Sequence, residues 1–252
     1  MNDNQLTNRP FWKGPFSPWV LGIILIFLWG VPRFWMVLEA NRLGSYQWIP
    51  LVFITMCFTP FLFMTREGRR RMDWQKPTQK AWLGYGFLFG MACSTAIYGV
   101  GQFLYGGAIE NWYVYIAQSY SNVPNPLSDA DRLTYFLIYA VMSMLFSPIG
   151  EELFYRGVVH ELLAVRWGDN IASRLDSLAF ALTHLAHFGM IYHMGRWHFL
   201  AVPALLWVVM LFVACRVFFL ARKKSGSILG AILAHAGFNL GMIYWIFYGV
   251  MA

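Results

Sequence analysis

Long apolar blocks alternate with short polar connections along this chain. Stretches at residues 18–38, 47–64, 81–105, 133–165, 173–190, 200–221 and 226–250 each come near the roughly 20 residues a helix needs to cross about 30 Å of hydrocarbon. The pattern predicts an all-α fold, a polytopic transmembrane helix bundle of about seven spans. No Gly/Ser/Pro-rich linker or soluble-length block divides it, so residues 1–252 read as a single integral membrane domain. The first apolar run, Trp19 to Gly30, follows a sparse basic stretch and lacks a small-x-small cleavage pattern before Pro32 and Arg33. It is expected to remain as an anchor.

Composition sharpens this picture. Hydrophobic residues make up 58% of the chain and charged residues 12%, far from the soluble balance of roughly a quarter charged. The net charge of +7 would suit nucleic acid, but its placement argues for loops beside a membrane. Arg66, Arg69, Arg70, Arg71, Lys76 and Lys80 share one connection, and Arg222, Lys223 and Lys224 share another. With these, Arg9, Lys13, Arg166 and Arg174 on the inside, only Arg33, Arg42, Arg132 and Arg196 fall outside. The bias predicts a cytoplasmic amino terminus. Cys57, Cys93 and Cys215 lie in apolar runs, which supports neither a disulfide framework nor a cysteine metal site.

Three further features read as packing or anchoring. The outer segment 106–132 carries Trp112, Tyr113, Tyr115 and Tyr120, rings suited to the headgroup level. The pairs Gly86 and Gly90, Gly226 and Gly230, and Gly237 and Gly241 permit close helix approach. His187, His193 and His198 flank an outer connection with Arg196 and are expected to be interfacial or solvated.

The candidate chemistry sits in the fourth span, where Glu151, Glu152 and Arg156 interrupt an apolar run. At roughly 2.5 to 3.5 kcal/mol per unpaired charge at mid-bilayer, such a group must face the bundle interior, and function is the default reading. Glu152 and Arg156 are an i, i+4 pair with the acid on the amino-terminal side, the better orientation for an ion pair. Glu151 points about 100° away and is free to meet another neighbour. His160, one turn after Arg156, extends the Glu152–Arg156 stripe. Pro148 and Gly150 just upstream predict a kink with a small wet cavity at Glu151. The fifth span holds Phe180-Ala-Leu-Thr-His184 and the seventh His235-Ala-Gly-Phe-Asn239, each with its end residues on one helical face. Counted from the helix ends at about 1.5 Å per residue, Glu151, His184 and His235 reach a shared depth.

These three motifs, Glu151-Glu-x-x-x-Arg156, Phe180-x-x-x-His184 and His235-x-x-x-Asn239, together with the lead-in Gly226-Ser-Ile-Leu-Gly-Ala-Ile-Leu-Ala-His235, resemble the signatures of the CPBP intramembrane proteases. That group holds CAAX prenyl endopeptidases, bacteriocin-processing enzymes and ABI-type proteins. The resemblance covers about residues 133–241. It implies a glutamate-dependent endopeptidase acting on a membrane-associated peptide or lipidated protein. By motif position, Glu151 would be the general base assisted by His184, His235 and Asn239 the oxyanion donors, and Glu152 and Arg156 the supports that shape the site. The chemistry agrees, because a poorly solvated carboxylate is a better proton acceptor and each oxyanion donor is often worth about 3 kcal/mol.

Other readings stay open. A non-catalytic membrane adaptor or immunity factor could keep the motifs for structure. A proton-coupled transporter could use Glu and His as a relay, although no clear repeat of spans is present. Zinc on Glu151, His184 and His235 is chemically available, but the His-Glu-x-x-His helix of common metalloproteases is missing, so no metal or other cofactor is expected. The expected surroundings are the lipid bilayer, with no nucleic acid, in a prokaryotic plasma membrane. Oligomeric state and substrate identity are not legible.

Overall fold

The computed structural model describes residues 9–13, 16–120, 123–124 and 127–251. Five helical stretches among them are long and apolar enough to cross a membrane: Pro18–Leu43, Ala81–Tyr105, Asp129–Ala186, Ala201–Ser225 and Ile228–Val250, with the shorter apolar helix Ile49–Phe63 beside them. The all-α bundle expected from the apolar blocks is present. In chain order the helices are α1 (Pro10–Lys13), α2 (Pro18–Leu43), α3 (Ile49–Phe63), α4 (Arg66–Arg71), α5 (Ala81–Tyr105), α6 (Trp112–Ala117), α7 (Asp129–Glu151), α8 (His160–Thr183), α9 (Ala201–Ser225) and α10 (Ile228–Trp245). A π-helical segment, Glu152–Val159, joins α7 to α8. Large apolar side chains such as Phe27, Leu88, Phe103, Leu137, Val202 and Leu205 point outward, as they must where the surrounding medium is lipid.

Local chemistry sets the boundaries. Pro18 starts α2, where its missing N–H would be unpaired anyway, and Gly44 ends it in the left-handed conformation. Ser128 and Ser227 accept from backbone N–H groups at the starts of α7 and α10. The fourth and fifth apolar stretches run as one helical path with a single break at Gly168, where φ 72° and ψ 167° reverse the chain within α8. Those angles are essentially restricted to glycine.

Small residues bring α10 against α5. A methyl group added at Gly90 would meet the Ala234 carbonyl, one at Gly237 the Phe87 carbonyl, and one at Gly241 the Ser94 side chain. Two of the three glycine pairs therefore work by packing, as expected. Gly226 works differently: at φ 66° it caps α9 and returns the chain into α10.

Both basic connections lie at one end of the bundle. Thr78 and Gln79 donate backbone N–H groups to the Ser225 carbonyl, and Ile228 donates to Asp73. Arg222 binds Asp73 Oδ2 and Glu161 Oε1, each at 2.9 Å. The Gly168 reversal joins the same end through Lys223 and Asp169, 2.6 Å apart.

The opposite end departs from expectation. Trp112 and Tyr113 are fully buried and Tyr115 is 5% exposed, so this stretch is a plug inside the bundle and not an interfacial anchor. The physical reason is that each polar tip finds an internal partner. Trp112 Nε1–H donates to the Ile97 carbonyl, Tyr113 O–H donates to the Ser94 carbonyl, and Tyr115 Oη accepts from the Tyr192 backbone. Burial pushes the Tyr113 hydroxyl well above the ordinary phenol range, so it stays neutral. Within segment 106–132, residues 121–122 and 125–126 lie outside the described residues. A short antiparallel hairpin, β1 (Met190–His193) and β2 (Arg196–Phe199), closes the same end. Met194 and Gly195 turn it with positive φ at both positions, the geometry of a tight two-residue hairpin turn. His193 and His198 sit on this hairpin at the surface, as expected.

Candidate active site

The Glu151–Arg156 group is buried at the junction of α7 and the π-helical segment, with Glu151 1% exposed and both Glu152 and Arg156 fully covered. Irregular helix of this kind is frequent at functional sites. Gly150 is needed for close approach, since a methyl group there would meet the Phe53 carbonyl of α3. It packs α7 onto α3.

The two glutamates have different partners. Glu152 Oε1 accepts from Arg156 at 3.2 Å and from His235 Nδ1–H at 2.8 Å. Glu151 Oε2 accepts from Ser147 Oγ at 2.8 Å and lies 3.8 Å from His235 Nε2. Its other oxygen, Oε1, lies 2.7 Å from a guanidinium nitrogen of Arg33, an α2 residue that is only 1% exposed. Arg33, expected on the outer side with Arg42, Arg132 and Arg196, is instead buried in the bundle: α2 continues through Pro32 and carries it there. Arg33 falls within the apolar stretch 18–38, and no local sequence signal distinguishes an arginine near a helix end from one turned to the interior.

His184 stacks on Phe180 at 4.1 Å and donates from Nδ1–H to the Phe180 carbonyl at 2.8 Å. Its Nε2 then faces Arg33 at 3.1 Å. His235 stacks on Phe218 at 5.0 Å. Asn239 donates to the Ser143 carbonyl at 2.8 Å, which ties α10 to α7. His187, expected at the interface, instead stacks on His184 at 5.3 Å and places Nε2 3.5 Å from Arg33. The short turn at residues 184–186 rolls it back toward the bundle.

A cavity of about 310 Å³ opens beside these groups. Arg33, Ser147, His184, His187, His235 and Asn239 line it, with Phe180, Phe218 and Phe238 supplying apolar wall. A cavity is expected at Glu151; the one present is lined by Ser147 and Arg33, and Glu151 sits just behind its wall, in contact with both. Behind the site, Arg156 Nε is 3.8 Å from Asp176 Oδ1, and His160 Nδ1–H donates to Asp176 Oδ2 at 2.9 Å. His160 extends the support network as expected. Among the described residues, no group of three His, Cys, Asp or Glu side chains is gathered as a metal-binding set. The three cysteines are free.

Three helices that are distant in sequence therefore deliver a carboxylate, two imidazoles and an amide to one buried place. Residues 133–241 match the family model of the Rce1-like type II CAAX prenyl endopeptidases. The match is consistent with the CPBP group. It spans less than half of the chain, from α7 into α10, and contains Glu151, Glu152, Arg156, His184, His235 and Asn239. Arg33 lies outside it. No curated protein and no solved structure matches the chain.

Proposed function

We propose that this single integral membrane domain is an intramembrane endopeptidase that hydrolyses a peptide bond in a membrane-associated or lipidated protein, using water activated by Glu151. The observation that carries the reading is the convergence of Glu151, His184, His235 and Asn239 beside one largely apolar cavity, inside the segment that matches a prenyl endopeptidase family.

In this scheme the Ser147 side chain, which lines the cavity and covers Glu151 Oε2, turns aside to admit a water; the water attacks the scissile carbonyl carbon and gives its proton to the carboxylate. Charge then develops on the carbonyl oxygen. The imidazole of His235 and the amide of Asn239 line the cavity and are placed to donate to that oxygen, an interaction often worth about 3 kcal/mol per donor. Collapse breaks the C–N bond, and the proton held by Glu151 passes to the leaving amine. Glu152 and Arg156 keep His235 oriented through the 2.8 Å contact at Nδ1. His184 acts on the base through Arg33, which its Nε2 faces at 3.1 Å and which lies 2.7 Å from Glu151 Oε1. No metal or other cofactor enters the scheme. The partners are the bilayer and a membrane-embedded substrate, with no role for nucleic acid.

The basic connections gathered at one end support a cytoplasmic amino terminus.

The test is an internally quenched peptide ending in a farnesylated Cys-Ala-Ala-X tail, incubated with purified protein in vesicles. Wild-type protein is expected to cut it and Glu151→Gln protein to leave it intact. Peptidomics of cells carrying the two forms extends the test to natural substrates. Equal processing by both forms would remove Glu151 as base and favour a membrane adaptor. Proton-driven solute uptake by the same vesicles would favour a transporter.

A further inference from the structure

Arg33 is the least expected member of the site. One of its nitrogens, Nη2, meets three side chains from two other segments: Glu151 Oε1 at 2.7 Å, His184 Nε2 at 3.1 Å and His187 Nε2 at 3.5 Å. The two N–H bonds of that nitrogen are directed at the two imidazoles. Glu151 Oε1 lies against it as a charge contact with no aligned hydrogen bond. A second nitrogen, Nη1, donates to Thr183 Oγ1 at 3.4 Å, and the guanidinium packs over the Phe53 ring.

These contacts make the two oxygens of Glu151 unequal. Oε1 is held by the cation. Oε2 takes the Ser147 hydroxyl and faces His235 Nε2 across 3.8 Å. The His235 ring has its Nδ1–H committed to Glu152, so Nε2 is the nitrogen left to face Glu151 Oε2 and the cavity. The His184 ring has its proton on Nδ1, against the Phe180 carbonyl, and its Nε2 lone pair is occupied by Arg33. His184 is thereby kept from accepting a proton itself in this arrangement.

The geometry points to Arg33 as a positioning residue: it fixes one Glu151 oxygen and the Nε2 lone pairs of His184 and His187, leaving Glu151 Oε2 as the proton-accepting atom. The active site then needs α2 as well as the segment from α7 to α10. Lysine is a poor substitute, because a compact ammonium on a flexible stem lacks the planar fork that serves several fixed acceptors at once.

The inference rests on the proteolytic reading for its kinetic arm only. In that arm, Arg33→Met is expected to lower kcat on the farnesylated peptide by about a hundredfold, the scale of a misplaced reacting group, with KM unchanged. Arg33→Lys should recover part of the loss. A rise in KM with kcat intact would overturn the positioning role. The second arm needs no substrate. Histidine side chains are labelled with 15N, and His184 and His187 are assigned through His184→Gln and His187→Gln. Arg33→Met is expected to move both Nε2 signals while leaving His193 and His198 in place. Unmoved His184 and His187 signals would refute the inference even if the peptide is never cut. If Arg33→Met does not fold, the double variant Arg33→Gln, Glu151→Gln removes both buried charges and serves the spectroscopic arm, with the same decisive outcomes.

Discussion

At the residue scale, the site is a set of buried charges that are stable only together. Glu152 serves Arg156 and His235 at once, so Glu152→Gln leaves a guanidinium with no exposed surface and Asp176, 3.8 Å away, as its nearby carboxylate. Loss of one partner from a buried pair generally costs about 3 to 5 kcal/mol. The expected outcome is a large drop in thermal stability in detergent, together with lost processing. His193→Ala, on the hairpin, should change neither. The Glu152–Arg156 pairing was legible because i, i+4 spacing is a local property. The Glu151–Arg33 pair was not, because 118 positions separate the two residues in sequence and only the packing of α2 joins them.

At the element scale, single glycines decide how the helices turn and touch. Gly168 has open space where a methyl group would go, but its backbone angles are strained for any other residue. Gly168→Ala should therefore destabilise the bundle by about 1 to 3 kcal/mol through the backbone alone. Gly90→Val tests the opposite case, a position with ordinary helical backbone and no room. Overpacking against the Ala234 carbonyl is expected to cost about 1 to 3 kcal/mol or more, read as loss of folded protein on size exclusion. The aromatic segment of α6 shows where element-level reading stops. Trp and Tyr look the same in sequence whether their polar tips meet headgroups or backbone carbonyls. The choice here followed from Ser94 and Ile97 being within reach.

At the scale of the whole molecule, the connections around Asp73, Gly168 and Gly226 form one basic end, and the α6 plug and the β1–β2 hairpin form the other. Single cysteines placed at Lys76 and Lys224 in a protein cleared of Cys57, Cys93 and Cys215 should react with an impermeant thiol reagent from the same side of the membrane. A cysteine at Trp197 should react from the opposite side. Labelling of Lys76 and Trp197 positions from one side would break this topology. Arg222 clamps the basic end through Asp73 and Glu161, so Arg222→Met is expected to expose the connection after Met72 to limited proteolysis.

The sequence by itself determined the membrane-spanning helical class, the residues of the three motifs, the pairing of Glu152 with Arg156 and the separation of Glu151 from that pair. Each depends on composition or on spacing within one helix, and a helix fixes those directions locally. The tertiary structure alone decided that Arg33 and His187 join the site, that α6 plugs the bundle and that Ser147 and Arg33 stand between Glu151 and the cavity. Those outcomes depend on which helix faces which across the bundle, and in a chain so uniformly apolar many helix arrangements would bury the same stripes equally well.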